Sequence, residues 1–252
     1  MSKNFELMQQ AEASANVPAT EELERSSQGS TEYNNRRIVR LNLDEVAREE
    51  SANLVQNIFL LGNKEAPRVV IFAGINSGNG CSSICAYSAR LLASHNVGTV
   101  CLVDANLRSP TLPEFFGVSN HYGLTDALRN DDSVRTFTKQ VGPKNLWLLS
   151  CGSLASEGPR LLNSEMMRAR VVELRKQFDY VLIDIPALNT YADGVAVGQL
   201  ADGFVLVLEA NSTRREAAVR IAENLRAAQI KILGAVLNKR TFPIPALLYN
   251  LL

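Results

Sequence analysis

The stretch Arg68-Val-Val-Ile-Phe-Ala-Gly-Ile-Asn-Ser-Gly-Asn-Gly-Cys-Ser-Ser83 decides how this chain is read. Val69 to Ala73 form an unbroken apolar run of strand length. A glycine-rich turn follows, Gly74 to Gly80, and then a segment from Ser82 to His95 with the apolar spacing of a helix. Strand, glycine turn, helix is the context that a phosphate-binding loop requires. Gly78 and Gly80 let the backbone approach an anion, and the free N–H groups of the first helical turn point at it. A complete loop of this kind ends Gly-Lys-Ser/Thr, with the lysine on the outer phosphates and the hydroxyl on Mg²⁺. Here Ser82 and Ser83 supply hydroxyls, but Cys81 occupies the lysine position.

Outward from the loop the same alternation repeats. Apolar runs at Thr99–Val103, Leu146–Ser150, Tyr180–Ile183, Phe204–Leu208 and Ile232–Leu237 read as strands, with helices at Arg160–Phe178, Asp193–Gln199 and Thr213–Gln229 between them. Continuous rather than alternating hydrophobicity suits parallel strands covered on both faces. The pattern predicts a doubly wound, mostly parallel α/β sheet with helices on both faces, of the phosphate-loop NTPase type. Ligands in such sheets bind at the carboxyl ends of the strands. Two predicted strands end there in a carboxylate, Leu102-Val103-Asp104 and Leu182-Ile183-Asp184, and the final strand ends at Asn238, whose amide suits an adenine edge. Ahead of the loop, Leu43, Val46, Leu54, Val55 and Ile58 give an apolar stripe for a leading helix that stops at Gly62.

The organisation expected is a disordered N-terminal tail over residues 1–41, one α/β domain over 42–240 and an apolar tail over 241–252. The first tail is rich in Ser, Glu, Gln and Asn and poor in aromatics. Lys plus Arg equals Asp plus Glu at 26 each, so nothing in the charge points to nucleic acid. No basic segment followed by an apolar one opens the chain, and the Gly194–Ala210 stretch is broken by Gln199, Asp202 and Glu209, so a cytoplasmic protein is expected. Cys81, Cys85, Cys101 and Cys151 form no CxxC pair and are expected to be free thiols. Cys81 at a helix start reads as a small residue standing where lysine is no longer needed, rather than as a reactive thiol. His95, His121 and Trp147 read as surface and core residues. Arg214, Arg215, Arg220 and Arg226, beside Glu216 and Glu223, read as a solvated helix face.

Taken together, Gly78-Asn79-Gly80, Val103-Asp104-x-x-Leu107-Arg108-x-Pro110, Phe115-Phe116-Gly117, Gly123-Leu124, Asp179-Tyr-Val-Leu-Ile-Asp184-x-Pro186 and Ala201-Asp202-Gly203 resemble the bacterial tyrosine kinases of capsule and exopolysaccharide synthesis. That family has three Walker-type motifs and is related to the partition and division-site ATPases. The resemblance runs from about Leu43 to Lys239. It implies ATP and Mg²⁺ as ligands, with Asp104 and Asp184 as catalytic carboxylates. Gly78, Gly80, Cys81, Ser82, Ser83, Arg108 and Asn238 would lie at the nucleotide, and Ser82 and Asp184 at the metal. It also implies docking on a membrane-embedded polysaccharide chain-length or export protein at the inner face of the membrane. A homo-oligomer through the leading helix is implied too, because Glu45-x-x-Arg48 resembles the start of the family's Glu-x-x-Arg-x-x-Arg motif. The departures are specific. The loop lysine is Cys81, the second Asp of the middle motif is Asn106, the second Arg of the helix motif is Ser51, and only Tyr249 follows Asn238 where the family carries a tyrosine cluster. An impaired, regulatory relative with weak nucleotide binding is the expectation. The alternatives are an active kinase or ATPase in which Arg108 or Lys64 replaces the lysine, and a partition-like positioning ATPase.

Overall fold

The computed structural model describes residues 45–61, 66–153, 158–191 and 193–240; both expected tails, with Tyr249, and Lys64 lie outside them. Seven strands form one sheet in the order β3-β4-β2-β5-β1-β6-β7. They are β1 (Val69–Gly74), β2 (Val100–Asp104), β3 (Thr138–Gln140), β4 (Leu146–Leu149), β5 (Tyr180–Ile185), β6 (Gly203–Glu209) and β7 (Ile232–Asn238). All neighbours are parallel except β3, which runs antiparallel to β4 at one edge. Six of the seven strands coincide with the apolar runs of the sequence. The seventh, β3, is a three-residue Thr-Lys-Gln edge strand with no apolar signal.

Alternate residues of each central strand feed two separate cores. Val69, Ile71 and Ala73 of β1 pack with Met167, Val171 and Leu174 of α6 (Glu165–Gln177) and with Ile221 and Leu225 of α8 (Arg215–Ala227). Val70 and Phe72 pack on the opposite face with α1 (Glu45–Val55) and α2 (Cys81–Ser94). In the leading helix Ala47, Leu54 and Val55 are buried, and the chain continues through one π-helical turn, Gln56–Leu60, that also buries Ile58 and Phe59. Ser51, at the position of the family's second arginine, is fully buried and its hydroxyl donates to Ala47 O at 2.7 Å. Arg48 is exposed.

The remaining helices are short: α3 (Leu112–Phe115), α4 (Leu124–Ala127), α5 (Gly158–Leu162) and α7 (Asp193–Gly198). The long helix expected over Arg160–Phe178 is two helices. Ser164 separates them in an extended conformation, and its hydroxyl accepts the N–H of Met167, which caps α6. No helix among the described residues is long and apolar enough to cross a membrane.

Candidate functional site

The loop between β1 and α2 is shaped by two left-handed glycines, Gly78 at φ 85° and Gly80 at φ 80°. Gly80 also admits a close neighbour, since a Cβ there would lie 2.4 Å from Asn238 Nδ2. Above Gly78 there is open space. Two buried asparagines hold the loop from below. Asn238, at the end of β7, donates through Nδ2 to Asn79 O at 2.7 Å, and Asn79 Nδ2 donates to Val207 O at 3.0 Å. Through Nδ2 the Asn238 amide therefore braces the loop. Asn79, which sequence reasoning passed over, keeps Oδ1 buried without a partner.

Beside the loop, β2 and β5 run in register with Asp104 opposite Asp184, both fully buried. The Ser82 hydroxyl donates to Asp184 Oδ2 at 2.5 Å, and Asp184 Oδ1 is left without a partner. Asp104 accepts the N–H of Asn106 on one oxygen and of Leu112 on the other, both at 3.2 Å. Burial pushes the Asp184 carboxyl up to about 7, held back by Ser82 and by the Cys81 thiol, a weaker donor. Burial, and then the charge of Asp184, push Asp104 well above the ordinary aspartate value. The Cys81 residue keeps some exposed surface, but its thiol is enclosed. Burial first, then Asp184, raise it well above the usual cysteine range. This environment opposes a reactive thiolate. All four cysteines are free, as the sequence implied.

The structure thus brings Gly78, Gly80, Cys81, Ser82, Asp104, Asp184 and Asn238 to one end of the sheet. Arg108 is exposed and stacks on the Tyr191 ring, 4.0 Å from its centroid. Asn106 turns its side-chain oxygen to the N–H of Ser109 at 3.3 Å. Among the described residues no three His, Cys, Asp or Glu side chains form a metal cluster. A divalent ion would therefore rest on Ser82, Asp184 and water. A cleft of about 710 Å³ lies at the opposite, amino end of the strands, lined by Arg68, Arg175, Gly198, Asp202, Ile230 and Lys231. Its carboxylate and its two arginines are already paired within the fold.

A parallel sheet with this loop after its first strand, and carboxylates ending the two strands on one side of it, defines a phosphate-loop α/β protein of the Walker ATPase kind. The comparisons narrow the class. The chain is 30% identical over 190 residues to tyrosine-protein kinase YwqD of Bacillus subtilis, covering 75% of this chain and 80% of that protein. It is also 30% identical to the succinoglycan biosynthesis transport protein ExoP of Rhizobium meliloti, over 75% of this chain but 24% of that longer protein. The VpsO kinase domain superposes with a TM-score of 0.72 at 24% identity, covering 77% of this chain and 95% of that domain. A ParA family ATPase from Chlorobium tepidum gives 0.59 at 20% identity, over 68% of this chain and 74% of that one. No protein-family profile matches. The chain belongs to the bacterial tyrosine kinase family.

Proposed function

We propose that this chain is a catalytically impaired member of the family. In this reading it binds nucleotide weakly, turns it over little or not at all, and serves as a binding or regulatory component of exopolysaccharide or capsule synthesis or export. The observation that carries the reading is Cys81 at the loop's lysine position, next to Ser82, whose hydroxyl is held by the fully buried Asp184. A lysine there would neutralise a buried carboxylate and grip an outer phosphate. A raised, neutral thiol does neither, and Asp184 Oδ1 stays unpaired. The loop and Ser82 still fit a nucleotide and Mg²⁺, which would polarise the transferred phosphate when bound. In this chain the N–H groups from Gly78 to Ser83 would cradle phosphate, and Ser82 with Asp184 would orient the ion. Losing one charge-assisted hydrogen bond costs about 1.5–3 kcal/mol of binding. Losing a preorganised donor slows chemistry about a hundred- to a thousandfold. Asn106 lowers the negative charge of the metal site as well. Catalysis therefore suffers more than binding.

The pathway is supported by the likeness to ExoP, a succinoglycan biosynthesis transport protein. By the same family logic the partner is a membrane-embedded chain-length or export protein, reached from the inner face of the membrane. Self-association would run through α1, where Arg48 is exposed and Ser51 is not available to a neighbour. The test is a comparison of the parent with the double variant Cys81→Lys, Asn106→Asp. The parent should show no tyrosine phosphorylation and little ATP hydrolysis, and the repaired protein should bind Mg·ATP about tenfold tighter or better by calorimetry. Parent turnover near 1 per second, abolished by Asp104→Ala and Asp184→Ala, would establish the active-kinase reading instead.

A further inference from the structure

The segment after β5 is joined to the start of the phosphate loop. Leu188 N donates to Gly74 O and Asn189 N to Ile75 O, both at 3.0 Å. Asn189 then extends the link through its side chain. Its Nδ2 donates to Asn76 Oδ1 at 3.1 Å, and its Oδ1 accepts Arg220 Nη2 from α8 at 2.9 Å. A guanidinium that the sequence placed on a solvated helix face is thus two hydrogen bonds from a residue of the loop. Asn76, Asn189 and Arg220 are not enclosed, and the space above the neighbouring Gly78 is open. The loop from Gly74 to Ser83 carries no cationic side chain, and beneath it lie two buried carboxylates. An anion seated there lacks a fixed positive partner on the side where Cys81 replaces lysine.

We propose that Arg220 supplies that partner, leaving Asn189 to grip the terminal phosphate of a nucleoside di- or triphosphate held in the loop. The inference rests on the nucleotide-binding part of the function proposed above. A guanidinium offers two parallel donors to a phosphate, a stronger pairing than its single bond to a neutral amide oxygen. Asn189 parks the group beside the loop when no anion is present. Because the arginine belongs to α8 and not to the loop, it would favour binding over phosphoryl transfer. A donor on an exposed side chain is not preorganised in the way that a loop lysine is.

The test measures the affinity of Mg·ATP and of AMP for the full chain by calorimetry. In Arg220→Gln the preference for ATP over AMP should fall by roughly tenfold or more, with AMP itself unaffected. In Asn189→Ala, which removes the parking contact and keeps the charge, the preference should persist. Adding Cys81→Lys to Arg220→Gln should restore it, since a loop lysine makes the arginine dispensable. If the parent binds ATP and Arg220→Gln binds it equally well, this inference is overturned and the proposed function stands. If Asn189→Ala loses as much as Arg220→Gln, the arginine only holds the loop in shape, and the inference is again overturned. If the parent binds no nucleotide while the Cys81→Lys, Asn106→Asp protein does, both the inference and the weak-binding reading fall.

Discussion

Asp184 has no exposed surface, one oxygen on Ser82 and one oxygen on nothing, and its neighbour across the strand is a second buried carboxylate. Its carboxyl is raised from the ordinary aspartate value of 3.8 to about 7, first by burial. The folded chain therefore holds a proton that the unfolded chain releases. Between about 4 and 7 the native state binds more protons than the unfolded state, so this residue costs stability as pH rises through that window and no more above it. Asp104 acts with the same sign. Asp184→Asn removes the titration while leaving an oxygen for the Ser82 hydroxyl. The variant should gain on the parent in urea midpoint from pH 5 to pH 8, with the gap widest at the alkaline end. A gap that stays constant over that range would refute the account. This residue was legible in the sequence because two apolar runs, each ending in Asp and following a glycine loop in order, form a pattern that a single such run does not. Asn79, Asn189 and Arg220 were not. Their roles exist only once β6, β7, the β5 exit and α8 are brought to one end of the sheet, and no local spacing encodes that.

At the scale of elements, what was legible follows from which signals are long. Parallel strands buried on both faces leave unbroken apolar runs, so β1, β2, β4, β5, β6 and β7 could be read directly. Strand β3 could not, because three polar-tending residues at a sheet edge carry no period. The one-turn helices α3 and α4 are too short for a helical period to show. The break between α5 and α6 is the instructive miss. Apolar spacing continues across it, but Ser164 leaves the helical region, donates to Leu161 O at 2.6 Å and accepts Met167 N at 3.2 Å. The hydroxyl ends one helix and starts the next. Ser164→Ala should cost about 1 kcal/mol of stability, as loss of an N-cap does. It should leave Mg·ATP affinity unchanged, because α6 packs on the sheet away from the loop. Chemical denaturation checks the first statement and calorimetry the second. A loss under about 0.3 kcal/mol would mean that tertiary packing alone sets the boundary.

Over the whole molecule, the sheet separates two tasks by its two ends. The carboxyl ends of the strands carry the glycine loop and the unpaired acceptors of Asn79 and Asp184. The amino ends carry the bracing. Asp202, before β6, accepts Arg68 N at 2.7 Å and Val69 N at 2.8 Å, fixing the start of β1, and pairs with Arg175 of α6 at 2.9 Å. The Arg68 guanidinium donates in turn to the carbonyls of Asp179, Arg175 and Phe178 at 3.0, 2.9 and 2.9 Å, tying in the entry to β5. Burial works against the Asp202 charge, but Arg175 and the two backbone N–H groups outweigh it and hold the carboxyl below its ordinary value of 3.8. A depressed carboxyl stabilises the fold above the ordinary value, and that contribution is lost as pH falls through the folded one. Asp202→Ala should thus lower stability by about 1.5–3 kcal/mol at neutral pH, the cost of losing hydrogen bonds to a charged group. The difference from the parent should hold steady from pH 8 to pH 5 and shrink below about pH 4. Nucleotide affinity should not move, since the strand length lies between the brace and the loop. A nucleotide affinity that falls along with stability would mean that the two ends are mechanically coupled through β1. A stability gap that persists unchanged to pH 3 would mean that the side chain acts through packing and not through its charge.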